Sequence, residues 1–138
     1  MNCTSQILVA VVDDDASMCK AVGRLLCAAG MRSVAFASAE AFLENVPEPG
    51  PDCLILDIQL GGMSGFDLQR QLALVGKTVP IIFITAHEES ETREHAHRLG
   101  CAAYLRKTDP GHAVIEAIRQ ALASKGTNSG TPSLSVCD

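Results

Sequence analysis

The sequence predicts an α/β protein, a doubly wound five-stranded parallel sheet with helices on both faces, and three observations predict it. Apolar runs recur that each end in reactive polar residues: Cys53-Leu54-Ile55-Leu56 before Asp57, 8–12 before Asp13-Asp14-Asp15, 81–84 before Thr85, and 102–105 before Arg106-Lys107. Runs this short and this apolar read as strands buried on both faces. Segments of helical spacing separate them, and parallel strands need helical crossovers. The composition, 138 residues with 47% apolar and 20% charged, fits one globular domain long enough to bury a core.

The first strand covers 6–12 and brings the acidic triplet to the sheet edge. From Ala16 the apolar residues fall at Met18, Val22, Leu25, Leu26 and Ala29, one stripe of a helix that Gly30 stops. A short second strand spans 33–36. Ser38 then caps a helix over 39–46 that ends before Pro47, and 48–51 is loop. The third strand ends at Asp57, and the glycine-rich segment 58–65 beside it is a flexible loop. Helical spacing returns over 66–75 at Leu68, Leu72 and Val75; the fourth strand is 81–84. The helix over 90–99 is unusually polar, with only Ala96 and Leu99 apolar, so it reads as a solvated rim helix open to a partner. After Gly100 come the fifth strand at 102–105 and a last helix over 110–124, with Pro110 in its first turn. The Gly-, Ser- and Thr-rich stretch 125–138 reads as a flexible tail or a truncated linker.

A net charge of −5 argues against a nucleic-acid surface. No apolar stretch reaches the roughly 18 to 20 residues of a membrane span, and 1–6 lacks the pattern of a signal peptide, so the expected location is the cytoplasm. The six cysteines form no CxxC pair and read as reduced thiols, mostly small core residues. His95 and His97 stand two apart on a helix and face different ways, which favours solvated surface over a metal site.

With the strands in the flavodoxin-like order 2-1-3-4-5, strands one and three are neighbours and their helices leave toward opposite faces. Asp13, Asp14 and Asp57 then meet in the crevice between them. Carboxylates so placed repel by about 4 kcal/mol per close pair at a protein-surface dielectric. A hard divalent cation relieves that repulsion, and Mg2+ on few carboxylates keeps a place for a phosphoryl oxygen. A threonine and a lysine on the adjoining strand ends supply a hydrogen bond and a positive charge to the same oxygens. Phosphoryl transfer asks for little else, which makes Asp57 the candidate nucleophile of an aspartyl phosphate.

These residues resemble the receiver domains of two-component response regulators, particularly the nitrogen-fixation and nitrate regulator type. The marks are V-V-D-D-D at 11–15, L-I-L-D at 54–57 followed by G-x-D-L at 65–68, I-T-A at 84–86 and Y-L-R-K at 104–107. The resemblance implies a receiver domain over 1–124 in which Asp57 is the phosphoacceptor. It implies that Asp14 binds Mg2+ directly, Asp13 through water, and the Gln59 backbone carbonyl completes the site. It implies that Thr85 and Lys107 contact the phosphoryl group and that Tyr104, with Thr85, is the switch of the face formed by helix 4, strand 5 and helix 5. The implied partners are a sensor histidine kinase and a downstream effector domain or partner protein. A phosphorylation-dependent homodimer is a further expectation, with no nucleic-acid or membrane contact by this domain. Its only catalysis is its own phosphorylation and dephosphorylation. Two departures stand out: Leu60-Gly61 replaces the family's usual Met-Pro, and Thr108 replaces the proline that usually follows the lysine.

Three other readings compete. A haloacid dehalogenase phosphatase needs a second aspartate where Gln59 stands, and a P-loop at Gly76-Lys77-Thr78 lacks its first glycine. A degenerate receiver, acting as a phosphorylation-independent binding module, is the alternative that the two loop departures leave open.

Overall fold

The computed structural model describes residues 7–46, 50–58, 60, 62–76, 79–86, 90–98 and 100–130. Side-chain alternation along its strands decides the architecture. Strands β1 (Leu8–Val12), β3 (Cys53–Asp57) and β4 (Ile81–Thr85) are almost wholly buried, whereas β2 (Arg32–Phe36) and β5 (Ala103–Arg106) are the half-covered edges. All pairs are parallel and the order is β2-β1-β3-β4-β5, as the sequence predicts. In register, Val11 lies beside Ile55, Ile55 beside Ile82, and Asp57 beside Ile84.

Odd and even strand residues feed two separate cores. Val9, Val11, Cys53, Ile55, Ile82 and Ile84 face one side, where they meet Val22 and Leu26 of α1 (Ala16–Ala28) and Val114 and Ile118 of α5 (Gly111–Gly130). Val12, Leu54, Leu56, Ile81 and Phe83 face the other. There they pack on Phe42 of α2 (Ala39–Glu44), Leu68 and Leu72 of α3 (Gly65–Leu74) and Ala96 of α4 (Ser90–Arg98). Burying each large aliphatic or aromatic side chain contributes about 1.5–3 kcal/mol. Because a one-residue slip would exchange the two sets, the register is firmly specified. It also fixes which residues emerge at the carboxyl edge.

Caps set the ends of the helices. Asp15 accepts from the amides of Ser17 (3.0 Å) and Met18 (3.4 Å) to begin α1. Gly30 and Gly100 follow α1 and α4 at φ of 83° and 86°, the left-handed conformation glycine tolerates. Helix α3 starts one residue before its apolar spacing suggests, because Ser64 and Asp67 form a reciprocal capping box. Helix α2 stops at Glu44, not at Val46, with Asn45 as its C-cap and the Asn45 side-chain amide donating to the Ala41 carbonyl.

The strand predictions shift slightly: β2 and β4 each gain a residue, β5 moves by one, and the predicted start of β1 at Gln6 lies outside the described residues. The largest difference is α5, which continues past Ser124 to Gly130 through residues predicted as tail. Extending a formed helix adds a hydrogen bond per residue without a new nucleation cost. No helix among the described residues is long and apolar enough to cross a membrane.

Candidate functional site

The acidic triplet divides its work. Asp13 follows β1 with its backbone amide donating to the Phe36 carbonyl, and its side chain is 1% exposed. Asp14 is exposed, and Asp15 is spent on the α1 cap. Asp13 Oδ1 accepts from the Asp15 amide at 2.9 Å, so the turn orients the buried carboxylate. Asp57 ends β3, next to β1, and is 4% exposed. One oxygen from each of Asp13, Asp14 and Asp57 lies within 4.8 Å of the others.

Lys107 reaches this group from beyond the far strand. Its backbone amide donates to the Thr85 carbonyl at 2.8 Å, adding a rung to the β4–β5 ladder. The side chain then passes over the end of β4, and its Nζ sits 2.9 Å from Asp13 Oδ2, 3.2 Å from Asp13 Oδ1 and 3.1 Å from Asp57 Oδ2. Burial by itself would lower the Lys107 pKa, but the hydrogen bonds and charges of Asp13 and Asp57 outweigh it and raise the pKa above its ordinary value. One ammonium thus neutralises part of the repulsion between two buried carboxylates.

Thr85 closes β4, 2% exposed, one residue past the register partner of Asp57. Tyr104 is apart from the carboxylates: it pairs with Phe83 and its half-buried ring packs on the α2, α3 and α4 side of the sheet. Its hydroxyl oxygen is buried, and the Arg93 guanidinium carbon lies 5.6 Å from the ring centroid. Gln59, assigned a metal-binding carbonyl from the resemblance, lies outside the described residues.

Several contributors escape the sequence reading. Glu40 of α2 accepts from the Met63 amide at 3.0 Å and so ties the loop after Asp57. Asp109 holds the turn that carries Lys107, its carboxylate accepting from the Arg106 amide at 2.9 Å. Cys19 donates its thiol to the Asp13 carbonyl at 3.3 Å; burial first, then the charges of Asp13 and Asp15, push its pKa up and keep it protonated. His97 is exposed as expected, but His95 is half-buried, edge-on to the Phe66 ring at 4.5 Å, and is not solvated surface. Its partner is on another helix, beyond what spacing along α4 reveals. Among the described cysteines, Cys53 is buried, Cys19 and Cys101 are half-buried and Cys27 is exposed, so the expectation of core thiols holds in part.

The site fits a hard cation: all three acidic donors are oxygens, two on buried side chains whose charge asks for compensation. A buried carboxylate at the end of a central strand, with two further acids close by and an ammonium paired to two of the three, makes an oxygen-donor site at the carboxyl edge of a doubly wound sheet.

The comparisons with known proteins agree. The family model for the response regulator receiver domain matches residues 9–127. The response regulator protein TmoT of Ectopseudomonas mendocina is 37% identical over 115 residues, covering 83% of this chain and 52% of that protein. Among solved structures, the response regulator StyR aligns at TM-score 0.81 and 35% identity, covering 91% of this chain and 63% of that one. A response regulator receiver protein from Burkholderia phymatum aligns at 0.76 and 41%, covering 86% and 96%. The chain belongs to the response regulator receiver domain family. It spans about half the length of the curated relatives it matches.

Proposed function

We propose that this domain accepts a phosphoryl group on Asp57 from a sensor histidine kinase and transmits the change through the face formed by α4, β5 and α5. The observation that carries the reading is the position of Lys107 Nζ, 3.1 Å from Asp57 and 2.9 Å from Asp13. A cation held there by two carboxylates is ready to meet the oxygens of an incoming phosphoryl group. Asp57 attacks phosphorus, one carboxylate oxygen forms the new O–P bond, and the bond from phosphorus to the donor breaks with its electron pair leaving on the donor. Asp13, Asp14 and Asp57, with the Gln59 carbonyl, would hold Mg2+. The ion supplies charge neutralisation that lets an anionic donor approach three acids. Lys107 takes one equatorial oxygen and Thr85 donates a hydrogen bond to another.

Thr85 closes the strand beside β5, so a new bond from its hydroxyl draws the segment after β4 toward Asp57. Tyr104 on the neighbouring strand then repacks against α4, where Arg93 lies over its ring. In this reading the domain acts in the cytoplasm, the receiver extends through α5 to Gly130 and not only to 124, and its output goes to a downstream effector domain or partner protein. A homodimer formed on phosphorylation is part of the same reading.

Incubation with acetyl phosphate and Mg2+ followed by intact-mass spectrometry tests it. One phosphoryl group should appear, depend on the metal, and vanish in Asp57→Asn while the far-ultraviolet circular dichroism is unchanged. Labelling of the Asp57→Asn protein to the wild-type extent sinks the assignment.

A further inference from the structure

The amine of Lys107 is placed on two strands, β1 and β3, from a loop that leaves the edge strand β5. A lysine has four flexible side-chain torsions, so this placement depends on a fixed backbone at residue 107. Neither Lys107 nor Thr108 has the restricted φ of proline. The restriction comes instead from the residue two positions after the lysine.

The Lys107 amide points inward to the Thr85 carbonyl, so the preceding amide, of Arg106, points away from β4 toward the open edge of the sheet. There the Asp109 carboxylate accepts it: Oδ2 lies 2.9 Å from the Arg106 amide. The Asp109 amide in turn donates to the Arg106 carbonyl at 3.0 Å, and its other carboxylate oxygen is 3.6 Å from Arg106 Nε. Both backbone polar groups of Arg106 are therefore held by one residue, and Lys107 and Thr108 are the two residues enclosed. Pro110 follows directly, fixing φ at the exit of the turn, and its carbonyl accepts from the Ala113 amide at 2.9 Å as α5 begins.

We propose that Asp109 is a positioning residue for Lys107. Its carboxylate latches the loop between β5 and α5 so that the lysine backbone is fixed without a proline after it. The inference rests on the reading of Lys107 as the group that meets the phosphoryl oxygens. Asp109 touches neither the carboxylates nor a phosphoryl group; it acts only through residue 107. The contact to the Arg106 amide needs only an acceptor oxygen, which asparagine also offers, and the 3.6 Å pairing with the exposed Arg106 side chain is a surface ion pair of small weight.

The experiment measures the rate of phosphoryl uptake from acetyl phosphate at saturating Mg2+ on the full chain. Asp109→Ala should slow it about 3- to 10-fold, the factor that losing one net hydrogen bond represents. Asp109→Asn should restore most of the rate. The Lys107 and Thr108 amides should show lower order parameters by NMR relaxation in Asp109→Ala alone. In a Lys107→Ala background, Asp109→Ala should have no further effect. A wild-type rate in Asp109→Ala, failure of Asp109→Asn to rescue, or an equal loss in the Lys107→Ala background each overturns the latch. If Lys107→Ala itself keeps the wild-type rate, the parent reading of Lys107 fails instead, and the relaxation data still show whether Asp109 orders the loop.

Discussion

The loops that lead from β3 into α3 and from β5 into α5 do the same task by different means. Each begins beside a site residue, Asp57 or Lys107, and each leads to a helix whose first residue is glycine, Gly65 or Gly111. Neither has a proline directly after its first site-side turn, with Leu60-Gly61 in one and Thr108 in the other, and in each a carboxylate accepts from a nearby backbone amide. In the first loop that carboxylate is Glu40, 23 residues away on α2. In the second it is Asp109, three residues from the amide it accepts. The glycines differ as well. The Gly65 amide donates to the Ile58 carbonyl at 3.0 Å, so the start of α3 is pressed onto the end of β3, while the atoms nearest to a Cβ placed at Gly111 belong to the Leu25 side chain of α1. The first loop is fixed by long-range packing and the second by its own short-range turn.

The largest effect expected from this contrast is at Gly65. A Cβ there would lie 2.6 Å from the Asp57 carbonyl oxygen and 3.1 Å from Ile58 Cα, both backbone atoms that cannot rotate aside. Gly65→Ala should destabilise the protein by about 1–3 kcal/mol, the usual cost of overpacking. It should also slow phosphorylation, because the atoms displaced belong to Asp57. Urea titration with paired uptake rates checks both. A midpoint and rate like wild type would mean that the backbone contact is not tight.

A second test concerns the charge carried by the other loop. The folded Lys107 pKa is raised, so its ion pairs stabilise the fold fully below the unfolded lysine value and are lost as pH rises through the folded value. In metal-free protein with chelator, stability should therefore fall above the ordinary lysine pKa more steeply for wild type than for Lys107→Met. Urea midpoints at several alkaline pH values give the difference, in which other titrating groups cancel. Parallel curves for the two proteins would show that the pairs contribute nothing to stability.

The same contrast explains what could be read without coordinates. The central strands declare themselves because burial on both faces leaves an unbroken apolar run, and Asp13 and Asp57 stand out because a carboxylate ends that run. Crossover rules require a parallel sheet but leave its order open; the flavodoxin-like order expected for it is the one observed, and it brings Asp13, Asp14 and Asp57 together. The Ser64 and Asp67 pair was legible as Ser-x-x-acid but lay hidden in a segment read as loop. Glu40 left no trace: a side chain that binds an amide 23 residues on imposes no spacing and no periodicity near itself. His95 failed for the same reason, since Phe66 belongs to a different helix. Asp109 is intermediate, because Asp-Pro after a strand signals a turn but not which amide the aspartate will take.

The smallest effect should come from Gly111→Ala, the same substitution at the same position of the other helix. Gly111 is not among the positive-φ glycines, so alanine can adopt its backbone conformation. Restricting the unfolded chain there is worth about 0.4–1 kcal/mol in favour of the fold. Against this, the new Cβ would sit 3.0 Å from Leu25 Cδ1, a contact that requires the leucine to move. Leu25 is half-buried and lines an open groove between α1 and α5, so a small turn of its end relieves the contact without disturbing backbone. The two contributions nearly cancel, and the net change should stay within about 0.5 kcal/mol, with phosphoryl uptake unaffected. Measured beside Gly65→Ala by the same urea titration, it separates the two loops directly. Equal losses from both substitutions would show that the start of α5 is as tightly packed as the start of α3, and that the second loop is not held by its local turn alone.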